Sequence, residues 1–493
     1  MSAPWPWVIL GRVPRLVPGD AEAEAWHAAA DFSIPVALPP RITVLTAAPS
    51  VHPDPNYPDK YPYIVATGPS CLLFNFAVEP FYGVNSSVDP HESYLILARR
   101  FHPAGVQQGH AATATAERIP MRHGRMPIIY NIESIGLVSS YDGDYTIAEF
   151  LLDKGSERAK LLRFRKGDEW WTEDNLIYPL SAQDREWVPT GVVAQDKKLW
   201  WFDLSWGLLS CDPFVADPVL LFHNLPEGRA LNMTRPDIHT HRCITVSRRK
   251  LRYVEIIIPE DCNGCHDSEA ATVSMWTRIP APGGKTARWD KAYEISFAKI
   301  WKDDSYKATG LPEKVPLLAV VCPSNPDVVY FDLEQHLFGV IVPAHKVVKF
   351  VKDSYELVNM PWPIRASSRY ISAWFLPHSV AMDLNLVGIK PSSSSPLNVR
   401  QLTMQQKDAP NAVQAVETDD EDLLKLGMEV AMTMDPATLK SEVDKFFSVE
   451  DHPSPERQVT VQKSEPFDFR LTEEEAWADV LAIRQLKKHR QDN

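Results

Sequence analysis

From the start of the chain to about Trp374, short apolar runs alternate with breaks at Pro, Gly, Asp or Asn. Cys71–Val78, Ser93–Arg100, Tyr145–Leu152, Lys197–Leu204, Leu251–Ile258, Thr272–Thr277, Tyr293–Trp301, Leu317–Val321 and Val328–Leu333 are examples, each rich in β-branched and aromatic residues. Runs of this length and composition between turn formers predict strands. Tyr145-Thr-Ile-Ala-Glu-Phe-Leu-Leu and Lys250-Leu-Arg-Tyr-Val-Glu-Ile alternate at period two over part of their length, as a strand with two unlike faces does. Asp142-Gly143 sits between two such runs as a hairpin turn that tolerates positive φ. Polar turns at Gln195–Lys198 and Ser247–Lys250 join further pairs. No long amphipathic helix interrupts the series, which argues for an all-β body. About seventeen to twenty-two strands exceed what one sandwich holds. Radial repetition of four-stranded blades accommodates them, so the expected architecture is a β-propeller-like body of about five or six blades. No clean repeat of 40–50 residues accompanies it.

The pattern changes after about Pro377, so the expected division is a β-propeller-like domain over 1–376 and an acidic linker and tail over 377–493. Pro391-Ser-Ser-Ser-Ser-Pro396 has linker composition. From residue 390 on there are 20 acidic against 13 basic residues. Short helices are expected at 423–433, at 437–447 behind the Asp435-Pro436 start signal, and at 472–490. The last has a capping box, Thr472 with Glu475, basic residues in its final turn, and one apolar face through Trp477, Val480 and Leu481. The rest of the tail has too little apolar surface to offset its chain entropy and is expected to be disordered.

Composition narrows the function classes. Of the 493 residues, 44% are hydrophobic, ample for a large core, and the net charge of −13 argues against general nucleic-acid binding. Six cysteines are too few for a disulfide scaffold. Several lie in apolar runs as small buried hydrophobes, which suits a reducing compartment. The Pro-broken N-terminus does not read as a signal peptide, and no run approaches the ~20 apolar residues of a membrane span. An intracellular protein of cytoplasm or nucleus, with no membrane association, is expected.

Chemistry-bearing motifs are few. Cys262-Asn-Gly-Cys265-His266 offers three zinc ligands, with His239, His241 and Cys243 upstream, and matches a haem-attachment pattern. Asn-Gly between the cysteines, and strands on both sides, read instead as a hairpin loop. Asp237-Ile-His239-Thr-His241 reads as a solvated connection. Gly283-Gly-Lys285-Thr286 lacks the first glycine, the strand and the helix of a phosphate loop. No GxGxxG, GxSxG or HExxH occurs, and no carboxylate pair has a spacing that implies acid–base roles. No catalytic residue, cofactor or metal site is expected.

The most distinctive stretch is Leu199-Trp-Trp-Phe-Asp-Leu-Ser-Trp-Gly-Leu-Leu-Ser-Cys-Asp212. Val219-Leu-Leu-Phe-His-Asn-Leu-Pro226, Leu251-Arg-Tyr-Val-Glu-Ile, Val273-Ser-Met-Trp and Asp327-Val-Val-Tyr-Phe-Asp-Leu follow in order. Together with Arg365-Ala-Ser-Ser-Arg-Tyr370, they resemble the grass-expanded plant family known as domain of unknown function 1618. The resemblance is best over 130–376. Ser205 stands where that family often has Trp or Tyr, and His223-Asn224 replaces its usual Pro-Leu context. The signature residues Trp201, Asp203, Trp206, Gly207, Cys211, Asp212, Tyr253 and Glu255 read as structure: a hairpin whose aromatics fill a sheet core. The family brings no established reaction. Some members carry F-box segments, but no convincing F-box helices occur here. The expectation is a non-enzymatic scaffold or adaptor for a protein partner. The alternative is an enzyme with an unrecognised site at the propeller mouth.

Overall fold

The computed structural model describes residues 5–16, 30–51, 61–77, 94–103, 111–122, 126, 127, 129, 131–152, 158–180, 185–259, 271–280, 287–358, 364–384 and 386. The chain divides into two units, 1–395 and 396–493. The second, with the helices expected at 423–433, 437–447 and 472–490, lies outside the described residues. So do Cys262, Cys265 and His266.

The first unit is an all-β propeller of five blades whose four strands pair antiparallel in sequence order. Blade one runs from Tyr61–Thr67 to Ala111–Arg118 and is widened by three short strands into a seven-stranded sheet. Blade two runs from Ile135–Ser139 to Thr172–Ile177, blade three from Gly191–Gln195 to Leu221–Asn224, blade four from Arg242–Ser247 to Arg288–Ser296, and blade five from Leu317–Val321 to Lys346–Phe350. A three-stranded closing sheet fills the remaining sector. In it Ile371–Phe375 pairs antiparallel with the N-terminal Trp7–Gly11, which pairs parallel with Ile42–Thr43.

Six interlocking cores make the ring. Alternate side chains of Lys198–Asp203 go to opposite sides of blade three, as strand geometry requires. Leu199 and Trp201 pack against Phe150 and Leu161 of blade two. Trp200 and Phe202 pack against Ile244 and Tyr253 of blade four. Blade five meets blade four through Phe331 and Phe338 and the closing sheet through Val320 and Tyr330. The closing sheet meets blade one through Trp374, Phe74 and Ile96. Because both faces of each blade are covered, the strands read as nearly unbroken apolar runs. The blade one–blade two core, with Leu97 and Ile147, completes the circle.

Two differences from the sequence pattern have local causes. Tyr293–Trp301 is not one strand: the strand ends at Ser296 and Phe297–Lys302 is helical. The Ser296 hydroxyl accepts from the Ala298 amide at 3.2 Å, capping the turn. Phe297, Ile300 and Trp301 then share one face in the core. Trp7–Gly11, Ala111–Arg118 and Thr172–Ile177 are strands the pattern did not single out. The last is a polar outer strand with a largely solvated face. A short helix at His378–Asp383 follows the closing sheet and buries Val380 and Ala381. Among the described residues no helix is long and apolar enough to cross a membrane.

Candidate functional site

The signature residues gather in and around blade three, with Trp201 and Cys211 on its blade-two side and Tyr253 and Glu255 on the adjoining blade four. Trp201 is fully buried, and its indole donates to the Ser134 carbonyl at 2.6 Å. Asp203, also fully buried, accepts from the Ser205 amide at 2.8 Å, from the Ser205 hydroxyl, and from the Val188 amide at 3.3 Å. Arg185 stands 3.7 Å from Asp203 and covers the half-buried Trp206 ring. Ser205 is buried and meets the Thr234 hydroxyl at 2.8 Å. Gly207 has no room for a side chain: a Cβ there would meet the Phe222 ring at 2.5 Å and the His223 carbonyl at 2.7 Å. Arg242 donates to Glu255 at 2.7 Å and to the carbonyls of Leu204 and Arg229 at 3.0 and 2.8 Å, while the Tyr253 hydroxyl donates to Glu255 at 3.0 Å. Cys211 is buried in the blade two–blade three core. Asp212 accepts from the Phe214 amide at 2.9 Å, a local turn bond.

The innermost strands of the five blades and of the closing sheet surround a central cavity of about 350 Å³. At one end stand the tips of the inner hairpins, with Pro69, Tyr141 and Pro323. These turns are tied together: Trp374 donates to the Gly68 carbonyl at 2.9 Å, Ser70 to Ser140 at 2.7 Å, Gln195 to Arg249 at 3.1 Å, and the Arg248 amide to Pro323 at 2.9 Å. At the other end Arg12, His239 and Ser368 line a polar floor. Behind them the Arg369 Nε donates to Glu133 at 3.2 Å, and His239 Nε2 lies 3.6 Å from the same carboxylate oxygen. His239 Nδ1 is 3.2 Å from the Ser368 hydroxyl. Arg12 donates to the Val65 carbonyl at 2.9 Å and to the Tyr63 hydroxyl at 3.3 Å.

Burial pushes the Glu133 carboxyl up, against the pull of Arg369 and Arg12. It drives His239 well below its ordinary value, and the same two guanidiniums push further in that direction. His239 is therefore a neutral imidazole. The row Ser368, His239, Glu133 has the composition of a nucleophilic triad but not its arrangement. The Ser368 hydroxyl has one proton and also faces the carbonyls of His239 and Arg242 at 3.2 and 3.4 Å. Glu133 is engaged by Arg369 and sits beyond hydrogen-bond distance of His239.

A second feature lies on the inner-hairpin face. The turn of blade two at Ser140–Asp144, its outer turn at Lys166–Trp171, and the loop of blade three after Cys211 stand side by side. Lys166 bonds Asp144 at 3.0 Å, and Arg165 donates to the Pro213 carbonyl at 3.1 Å. They present Tyr141, Trp170, Phe214 and Val215, exposed to 78%, 59%, 42% and 42%. Exposed Asp142, Asp144, Asp168, Glu169 and Asp217 surround them.

Sequence reasoning treated Asp237–His241 as a solvated connection. Instead His239 is buried in a short 3-10 turn over Ile238–Thr240 that delivers it to the cavity floor. His241 bonds the neighbouring Thr240 hydroxyl at 2.8 Å, and Cys243 lies in the inner strand of blade four, so the three do not converge. Among the described residues no group of three His, Cys, Asp or Glu side chains could hold a metal ion. Arg12, Glu133 and Ser368 escaped notice, because a single polar residue ending an apolar run has no spacing to betray it. Only the Arg365–Tyr370 segment, which supplies Ser368 and Arg369, carried a signal.

No curated protein matches the sequence. Among solved structures, Saccharomyces cerevisiae Sqt1 is similar at 9% identity and a TM-score of 0.28, over 63% of this chain and 65% of that one. The chain thus spans just under two thirds of the length of Sqt1. The GH93 alpha-L-arabinofuranosidase of Fusarium graminearum is similar at 11% identity and a TM-score of 0.30, over 62% and 85%. Penicillium chrysogenum alpha-L-arabinanase is similar at 11% identity and a TM-score of 0.27, over 62% and 86%. The stretch that carries the blade three–blade four signature, residues 201–330, matches the model of the family described as Protein of unknown function (DUF1618).

Proposed function

We propose that this protein is a binding module rather than a catalyst, and that its inner-hairpin face receives a basic segment of a protein partner. The observation that carries this reading is the row of exposed Tyr141, Trp170, Phe214 and Val215 on three loops tied together. Large aromatics held rigidly at the surface lose little entropy on contact and provide the anchors of most interfaces. Their rim selects the partner's charge. Five exposed carboxylates stand against Lys166 and Arg165, the ammonium engaged by Asp144 and the guanidinium by the Pro213 and Phe214 carbonyls. A segment with Lys or Arg around apolar residues complements such a surface. Four buried free thiols, Cys71, Cys211, Cys243 and Cys322, favour a reducing compartment, cytoplasm or nucleus, as the site of action.

The test compares the native protein with a Tyr141→Ser/Trp170→Ser/Phe214→Ser variant of the same melting temperature. Quantitative affinity purification from cell extract should recover partners with the native protein that the variant loses. The purified partner should bind the variant at least about tenfold more weakly, and more weakly still as salt rises. An identical set of partners, bound with equal affinity, contradicts the proposal.

A further inference from the structure

We propose that the central cavity is a binding site for a small hydroxylated organic anion, its carboxylate received at the floor by Arg12 and His239. The inference is argued independently of the hairpin-face reading and concerns the opposite end of the cavity, although Tyr141 borders both surfaces.

Charge is the first ground. Arg12 and Arg369 bring two guanidiniums to the floor, and Glu133 is the one carboxylate with them. Arg369 takes Glu133. Among the described residues no carboxylate lies within ion-pair distance of Arg12, which lines the cavity. The floor is positive whichever protonation state Glu133 or His239 adopts. Arg12 is half-buried and feels Glu133 only at a distance, because Arg369 already engages that carboxylate, so an anion entering the cavity gives the Arg12 guanidinium a direct partner.

Unmet hydrogen bonding is the second ground. Arg12 Nε, His239 Nε2 and Arg369 Nη2 are buried without a hydrogen-bond partner. His239 and Arg369 are both more than nine-tenths buried. Other orphans, such as those of Arg122 and Glu149, lie away from the cavity; these three cluster at the floor of a space that a ligand can enter.

The walls decide the ligand class. Each innermost strand is the end strand of its sheet, so one edge of peptide N–H and C=O groups has no strand neighbour and faces the axis. Thr245 and Ser372 add side-chain hydroxyls, and the Ser372 oxygen has no partner, whereas the Thr190 hydroxyl is taken up by Phe202 and Leu204. Between these polar groups stand Leu137, Val192, Ile244 and Val320, so the walls are mixed and suit a polyol body, which offers both hydroxyls and C–H faces. A volume of about 350 Å³ lies at the small end of the ~300–1,000 Å³ typical of ligand pockets.

The probes are three acyclic hexitol derivatives of one length and three charges: gluconate, sorbitol and glucamine. Isothermal titration of the full chain should give binding for gluconate, at least about tenfold weaker binding for sorbitol, and none for glucamine. Gluconate alone should raise the melting temperature. Arg12→Gln should remove the preference for gluconate over sorbitol. Arg12 also holds backbone carbonyls, so Thr245→Phe provides a second variant that fills the cavity away from the floor. It should abolish gluconate binding and leave partner binding at the hairpin face unchanged. Equal binding of gluconate and sorbitol, gluconate binding that survives Thr245→Phe, or no binding of any probe would overturn the proposal.

Discussion

Two buried polar clusters in this propeller are built from the same residue types and end differently. In and beside blade three, two adjoining sets, Asp203 with Ser205, Arg185 and Thr234, and Arg242 with Glu255, Tyr253 and the Leu204 and Arg229 carbonyls, meet their hydrogen bonds within the fold, and no side-chain polar atom of Asp203, Ser205, Arg242, Tyr253 or Glu255 is orphaned. The surplus guanidinium there, Arg229, is only half-buried and reaches solvent. At the channel floor, Arg12, Glu133, His239 and Arg369 each keep one buried atom without a partner. A third pair, Arg122 and Glu149, is buried one to one with its charged atoms 2.5 Å apart. A satisfied network rigidifies a fold, whereas a half-satisfied one is costly unless a ligand completes it. The Arg122–Glu149 pair also keeps atoms without a hydrogen-bond partner but does not line the central cavity, so what sets the floor apart is unmade bonds beside a space that a ligand can enter.

Blade three is the place to break this contrast. Trp201→Ala should destabilise by about 3–5 kcal/mol, the usual cost of deleting a large core aromatic. A denaturant midpoint equal to that of the native protein would mean the indole is not a core group and would return Trp201 to the candidate binding residues. Gly207→Ala should cost about 1–3 kcal/mol, because the added methyl meets the Phe222 ring and a backbone carbonyl that cannot step aside. Unchanged thermal unfolding of that variant would contradict the close approach.

A smaller effect concerns pH. His223 lies tilted against the Trp200 ring and faces Arg278, and burial, then Arg278, brings its pKa down from 6.5 to about 4. Between those values the unfolded chain takes up a proton that the folded chain refuses, so this residue's contribution to stability is present above pH 6.5 and is lost as pH falls toward 4. Buried carboxyls with raised values, such as Asp203 and Glu133, act in the opposite sense. The informative quantity is thus the difference between proteins. His223→Gln should lose less stability than the native protein between pH 6.5 and pH 4, and equal slopes would refute the assignment.

Much of the body was legible because each blade is covered on both faces and its strands are nearly continuous apolar runs. Tyr145–Leu152, Leu317–Val321 and Val328–Leu333 occupy the spans the pattern gives. Thr172–Ile177 hid because an outer strand with a solvated face looks like a loop. Phe297–Lys302 hid because three apolar residues in six fit either period until the Ser296 cap is seen. The signature block stood out because its aromatics lie close together in sequence. The floor was illegible for the opposite reason. Arg12, Glu133, His239 and Ser368 come from four distant segments, and ring closure by Trp7–Gly11 against Ile371–Phe375 helps to bring them together. The exposed row of Tyr141, Trp170 and Phe214 is likewise assembled from three turns.

The contrast between the clusters is tested most directly by one matched measurement, equilibrium unfolding of Ser205→Ala beside Ser368→Ala. Each change removes one hydroxyl from a buried charged cluster. Ser205 serves Asp203, Arg185 and Thr234 in short bonds, so its loss should cost about 1–3 kcal/mol. Ser368 has only contacts of 3.2–3.4 Å, to His239 and to the carbonyls of His239 and Arg242, so its loss should cost about 0.5–1 kcal/mol. A larger loss for Ser205→Ala is the result expected of a satisfied blade-three cluster and an unfinished floor. Equal losses, or a larger one for Ser368→Ala, would show that the floor is as much a structural network as the blade-three cluster and contradict the account.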